Sequence, residues 1–206
     1  MDKVKKESLN SANRGLSRTK AAILIMLFLG PLLGAFLWYY GLNAKLVPDQ
    51  INNSPLVHPP ISLQEFANPK HGGASFTLAD LKRKWTIVHI VDEDCNMNCE
   101  MFLYNTRQVR LAVGRDVHRI TRLIVIEDLE TVEWFRSEHP DAILIMDAES
   151  GIEDQLDSIY QTLDPSIKYA LLIDPLGNVM MAIPNDLPPK LLLKDLKKLL
   201  KLSRIG

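Results

Sequence analysis

Twenty consecutive residues without a charge, Ala21 to Tyr40 (AAILIMLFLGPLLGAFLWYY), constrain this chain more than any other feature. At about 1.5 Å per residue a helix of that length spans roughly 30 Å, the hydrocarbon thickness of a bilayer. Trp38, Tyr39 and Tyr40 close the run, where amphipathic rings favour the headgroup zone. Gly30, Pro31 and Gly34 would be costly in a soluble helix but are tolerated in a membrane span. A cleaved leader has an apolar segment of about 7–15 residues followed by small residues. This run is longer and leaves through aromatics, so a retained single-pass anchor is expected.

Charge orients it. Residues 1–20 carry Lys3, Lys5, Lys6, Arg14, Arg18 and Lys20 against Asp2 and Glu7. Positive residues stay in the cytoplasm, so the remainder is expected on the far side. In a bacterial inner membrane that is the periplasm, an oxidising compartment in which cysteine chemistry is admissible. The organisation expected is a tail at 1–20, an anchor at 21–42, a tether at 43–73 and a folded domain at 74–206. The tether assignment rests on Pro48, Pro55, Pro59, Pro60 and Pro69, which deny regular helix and central strand.

With 206 residues, 47% of them apolar, the chain can hold one ordinary domain beyond this appendage. A formal charge of −1 argues against nucleic acid as a partner. Two cysteines exclude a multi-bridge secreted scaffold, and nothing has zinc-finger spacing.

From Ala74 strands and helices alternate. Trp85–Val91, Ile120–Ile126 and Ala142–Met146 are β-branched or aliphatic runs of buried-strand length. Helical patterns follow at about 97–113, 129–138 and 152–163. Tyr169–Ile173 and Val179–Ile183 flank Asp174-Pro175-Leu176-Gly177 and predict a hairpin. A Leu-rich, Lys-rich helix at about 188–203 ends the pattern. Its lysines (190, 194, 197, 198, 201) suit a docked terminal helix facing water, a membrane-surface helix being the other reading. The fold class expected is α/β, a mixed sheet with flanking helices.

One constellation carries chemistry. Cys95 and Cys99 lie between a buried strand and a helix, at the strand end where open α/β sheets place their sites. Cysteines four apart on a helix have Cα atoms roughly 6 Å apart, within disulfide range. A helix N-terminus favours thiolate, whereas Asp92, Glu93, Asp94 and Glu100 oppose it by repulsion. As a staple so short a loop would contribute about 2 kcal/mol, against roughly 4 for a fifty-residue loop. The pair is therefore expected to be reactive or metal-binding. Two thiolates suit Cu(I), a soft ion, with Met97, Met101 or His89 as local third donors, although each is more commonly a packing or surface residue.

Several features together resemble the Sco/SenC branch of the thioredoxin superfamily. They are the anchor, Phe76-Thr77-Leu78-Ala79-Asp80-Leu81 before Lys84-Trp85-Thr86, the C-x3-C pair, and Leu172-Ile173-Asp174-Pro175-Leu176-Gly177. Cys95, Cys99 and Leu103-Tyr104-Asn105-Thr106-Arg107-Gln108-Val109-Arg110 are similar to small Sco-like proteins encoded among proteobacterial oxidase genes. The resemblance covers residues 74–184 and the anchor. It implies a thioredoxin-like fold, copper as the cofactor and cytochrome c oxidase subunit two or another assembly factor as the partner. Two positions depart from the pattern. Glu100 stands where proline usually follows the second cysteine, and Ser166 stands where counting back eight residues from Asp174 should reach the copper-ligating histidine.

The function expected is a metallochaperone that binds or delivers copper through Cys95 and Cys99. The alternatives are a thiol–disulfide exchange protein that reduces an oxidase subunit's copper-ligand cysteines, and a non-catalytic scaffold. For exchange, Cys95 would be the attacking thiol and Cys99 the resolving one.

Overall fold

A computed structural model describes residues 2–38, 40, 52–70, 73–91, 95–127, 131–146, 148, 151–203 and 205. The chain divides into two compact units, Met1–Ile51 and Asn52–Gly206. The first is built on helix α1 (Asp2–Leu37), which contains Pro31. Its Lys20–Leu37 portion is long and apolar enough to cross a membrane.

The second unit is layered around a six-stranded sheet. Its strands are β1 (Leu56–Ser62), β4 (Trp85–Val91), β5 (Ile120–Ile126), β6 (Ala142–Met146), β7 (Tyr169–Ile173) and β8 (Asn178–Pro184), in the order β1-β8-β7-β4-β5-β6. β5 is parallel to β4 and to β6, whereas β7 and β8 are antiparallel. A two-stranded ribbon, β2 (Ala67–Pro69) with β3 (Ser75–Thr77), leads into the short helix α2 (Leu78–Leu81). The remaining helices are α3 (Met97–Ala112), α4 (Val132–Glu138), α5 (Ile152–Tyr160) and α6 (Pro189–Leu202). Gly114–Arg119 form a 3₁₀ turn between α3 and β5.

β4 lacks the apolar–polar alternation of a one-faced strand because both of its faces are covered. Val88 packs with Leu156 and Ile159 of α5, while Ile87 joins Leu192 and Leu196 of α6 on the opposite face. Val91 joins Leu103 of α3 and Phe135 of α4. The helix bearing the cysteines thus lies on the α4/α6 side of the sheet.

The expected tether through residue 73 needs correction, since Leu56–Ser62 pair with β8 as an edge strand. Proline cannot donate to a ladder, and an edge strand is the place where Pro59 and Pro60 cost nothing. Asn53 and Ser54 are also held: the buried Asp195 carboxylate accepts from Asn53 N at 2.9 Å, Asn53 Nδ2 at 2.7 Å and Ser54 N at 3.0 Å. His71, placed in the tether, lies outside the described residues.

The Asp174–Gly177 turn forms as the sequence predicts. Asp174 Oδ1 accepts from Leu176 N and Asn178 N, and Gly177 has φ +95°. A Cβ at Gly177 would stand 3.0 Å from Leu78 Cδ1, so both the conformation and the close approach require glycine.

Candidate functional site

The chain leaves β4 at Val91, and α3 begins six residues later. Asn96 caps that helix, its side-chain oxygen accepting from Asn98 N at 3.0 Å and Cys99 N at 3.2 Å. Cys95 therefore precedes the cap and Cys99 lies in the first turn. Their Cα atoms are 5.2 Å apart, and the two sulfurs form a disulfide. Both residues are half-buried against the cluster of Val91, Leu103, Ile124 and Phe135. Asp92, Glu93 and Asp94 lie outside the described residues, and Glu100 is exposed on the first turn of α3.

The two cysteines face different hollows. Cys99 borders a cleft of about 820 Å³ whose walls include Asn96, Asn98, Phe102, Tyr160, Ser166 and Lys168. Cys95 borders a smaller hollow of about 160 Å³ with Glu100, Thr131, Trp134 and Phe135. Cys99, rather than the expected attacking thiol Cys95, has the roomier approach.

The third-donor candidates separate. Met97 and Met101 point outward from α3, 79% and 54% exposed. His89 is buried beneath α3, its ring edge-on to Phe102, with Nε2 3.0 Å from Thr106 Oγ1. The Thr106 hydroxyl donates to Leu103 O, so His89 Nε2–H donates to Thr106. Burial, helped by the nearby positive Arg122, keeps this imidazole neutral with its pKa far below the usual histidine range. His89 thus holds α3 on the sheet. Among the described residues no three His, Cys, Asp or Glu side chains gather into a metal cluster. Ser166 lines the Cys99 cleft, its hydroxyl donating to Asp164 Oδ1 at 2.7 Å.

Behind the site lies a charge cluster that the sequence reading missed. Arg122, fully buried on β5, donates from Nη2 to Leu103 O at 2.9 Å and from Nη1 to Asp141 at 3.3 Å. Asp141 also pairs with Arg107 Nε at 3.2 Å and Arg110 Nη1 at 3.5 Å, both from α3. Through Leu103 this network fixes the depth of the helix that carries the cysteines. One signal was available: an arginine within the aliphatic run ITRLIVI must be paired if the strand is buried.

His139, at the end of α4, is buried against Phe135 and Trp134. Burial foremost, then the charge of Arg122, lowers its pKa to about 4. A histidine with a depressed native pKa binds protons more readily unfolded, so its contribution is complete above about pH 6.5 and disappears as pH falls toward 4. The thermal midpoint is therefore expected to fall between pH 6.5 and 4.5. His139→Asn should flatten part of that slope, and a variant slope equal to the parent's would dismiss His139 as a contributor.

No curated protein matches the sequence. Among solved structures, yeast Sco1 with copper bound aligns over 71% of this chain and 96% of its own, at 16% identity and TM-score 0.59. Apo Sco1 from Thermus thermophilus aligns over 75% of this chain and all of its own, at 13% identity and TM-score 0.60. BsSco, a member of the Sco family of cytochrome c oxidase assembly proteins with an identified disulfide switch, aligns over 75% of this chain and 100% of its own, at 12% identity and TM-score 0.56. These likenesses establish a shared fold, the thioredoxin-like mixed sheet with flanking helices. Residues 85–203, more than half of the sequence, match a family defined at the sequence level, and the chain belongs to that family, the transmembrane-like, thioredoxin-like C-terminal domain proteins.

Proposed function

We propose that this protein is a membrane-tethered, Sco-like assembly factor that carries Cu(I) between Cys95 and Cys99 as cargo for a cytochrome c oxidase. The observation that carries this reading is the cysteine pair itself. Its Cα atoms are 5.2 Å apart at the start of α3, and Cys99 borders the 820 Å³ cleft. Reduction of the disulfide frees two soft sulfur donors at one spot, and deprotonation on binding makes them thiolate ligands suited to Cu(I). The shared fold with copper-bound yeast Sco1 supports the same reading. The basic segment before the apolar stretch supports an anchor with its N-terminus in the cytoplasm of a bacterial cell and the domain in the periplasm.

With two cysteines and, among the described residues, no third ligand beside them, the ion would be held in a near-linear site that readily releases it to a partner with more donors. Anaerobic titration of the reduced protein with Cu(I) against a competing chelator is expected to show one ion per chain. No binding above the chelator would end the carrier reading. Ser166→His puts an imidazole on the wall of the Cys99 cleft and is expected to tighten binding by about tenfold, roughly 1.4 kcal/mol. An unchanged affinity would separate position 166 from the copper site.

The disulfide favours a second reading, in which the reduced pair transfers electrons to an oxidised cysteine pair of an oxidase subunit. One thiolate attacks a sulfur of the partner's disulfide, and the second displaces the reduced partner and recloses Cys95–Cys99. The cleft favours Cys99 as the sulfur that meets the partner.

A further inference from the structure

Helix α6 carries five lysines and one acidic residue on a domain whose other residues from 52 onward hold 12 basic and 21 acidic groups. The acidic residue is Asp195, only 1% exposed and occupied by Asn53 and Ser54 on the inner side of the helix. Lys190, Lys194, Lys197 and Lys201 are all exposed, spaced i, i+4, i+7 and i+11, which places them in one stripe about 16 Å long. No ion pair among the described residues engages these four. Two apolar groups are exposed beyond the stripe at the C-terminal end of the helix, Leu202 at 72% and Ile205 at 52%. The backbone around them is held by Arg119, whose guanidinium donates to Leu200 O, Ser203 O and Ile205 O.

We infer that this face of α6 docks on the anionic headgroups of the membrane in which the chain is anchored. Four unpaired lysines and a terminal apolar pair match a surface of phosphate groups above hydrocarbon. The Asp195 clamp supplies the connection. It fixes Asn53 to α6, and Asn53 follows the last aromatic of the apolar stretch, Tyr40, by 13 residues, at most about 45 Å of extended chain. A helix so tethered meets its own bilayer at high effective concentration, so weak contacts suffice. The inference rests on the anchor reading and is independent of the cysteine chemistry.

The test uses the full chain in nanodiscs of phosphatidylcholine alone or with about 30 mol % phosphatidylglycerol, a content that gives the surface a negative potential. Each lysine is acetylated with a water-soluble reagent and its rate is read by mass spectrometry. Lys190, Lys194, Lys197 and Lys201 are expected to react about fivefold more slowly in the anionic discs, with the difference removed by high salt. Lys168, on the rim of the Cys99 cleft, should react equally in both. Equal rates for the four lysines, with the chain retained in the discs, would overturn the docking and leave the anchor standing. Slow rates in both lipids alike would also overturn it, since that is the mark of a protein covering the stripe. A chain extracted from the discs by alkaline wash would overturn the anchor and the docking together.

Discussion

Replacing either cysteine by serine is expected to lower the Cu(I) affinity of the reduced protein on the order of a thousandfold, about 4 kcal/mol. The site as built offers two sulfur donors, because Met97 and Met101 face outward and His89 is committed to Thr106 beneath α3. Serine substitutes a hard hydroxyl for a soft thiolate and leaves the ion with a single good donor. Cys95→Ser and Cys99→Ser should therefore fail alike in an anaerobic chelator competition. Disulfide exchange predicts a different pattern, in which loss of the attacking thiol abolishes the mixed disulfide with a partner and loss of the resolving thiol traps it. On the cleft geometry Cys95→Ser should trap and Cys99→Ser should not. Retained copper binding in both single variants would remove the carrier reading. Folding should survive either change, since so short a loop contributes only about 2 kcal/mol.

The largest expected loss of stability follows from Asp141→Ala. Three guanidinium groups converge on this one carboxylate, and Arg122 among them is wholly buried. Burial already works against the Arg122 charge and lowers its pKa, an effect that Asp141 partly offsets. Without the carboxylate a buried cation would face two like charges, at a cost of about 3–5 kcal/mol. Domains of this size have about 5–15 kcal/mol in total, so the midpoint of urea unfolding should fall by roughly a fifth or more. Arg122→Met removes the buried charge and leaves Asp141 paired with Arg107 and Arg110, so it should cost much less. If the alanine variant unfolds within about 1 kcal/mol of the parent, the cluster is not what holds α3 at its depth.

The elements legible in the sequence are those whose signal is local. β4, β5, β6 and β7 occupy the residues that their aliphatic runs mark out, and the Asp174–Gly177 turn sits where the spacing puts it. The end of α3 at Ala112 lies just before Gly114, and α6 begins at Pro189, a residue suited to a first helical turn. β1 was misread because its prolines exclude a central strand without excluding an edge strand. Only the completed sheet, with β8 outermost on that side but for β1, distinguishes the two.

The candidate site divides in the same way. Two cysteines four residues apart at a strand-to-helix junction are a pattern of sequence neighbours, and the apolar stretch at residues 21–40 is a property of composition and length. Both could be read from the chain alone. Which cysteine borders the cleft depends on α3 lying against the sheet, with Asp157, Tyr160 and Lys168 also lining the cleft. That His89 supports the helix depends on Thr106, 17 residues away, and the pairing of Arg122 depends on Asp141, 19 residues away. Partners that far apart leave no periodic trace in the sequence. Burial gives them their energetic weight, because removal from water is what makes an unpaired charge costly, and only the tertiary structure decides what is buried.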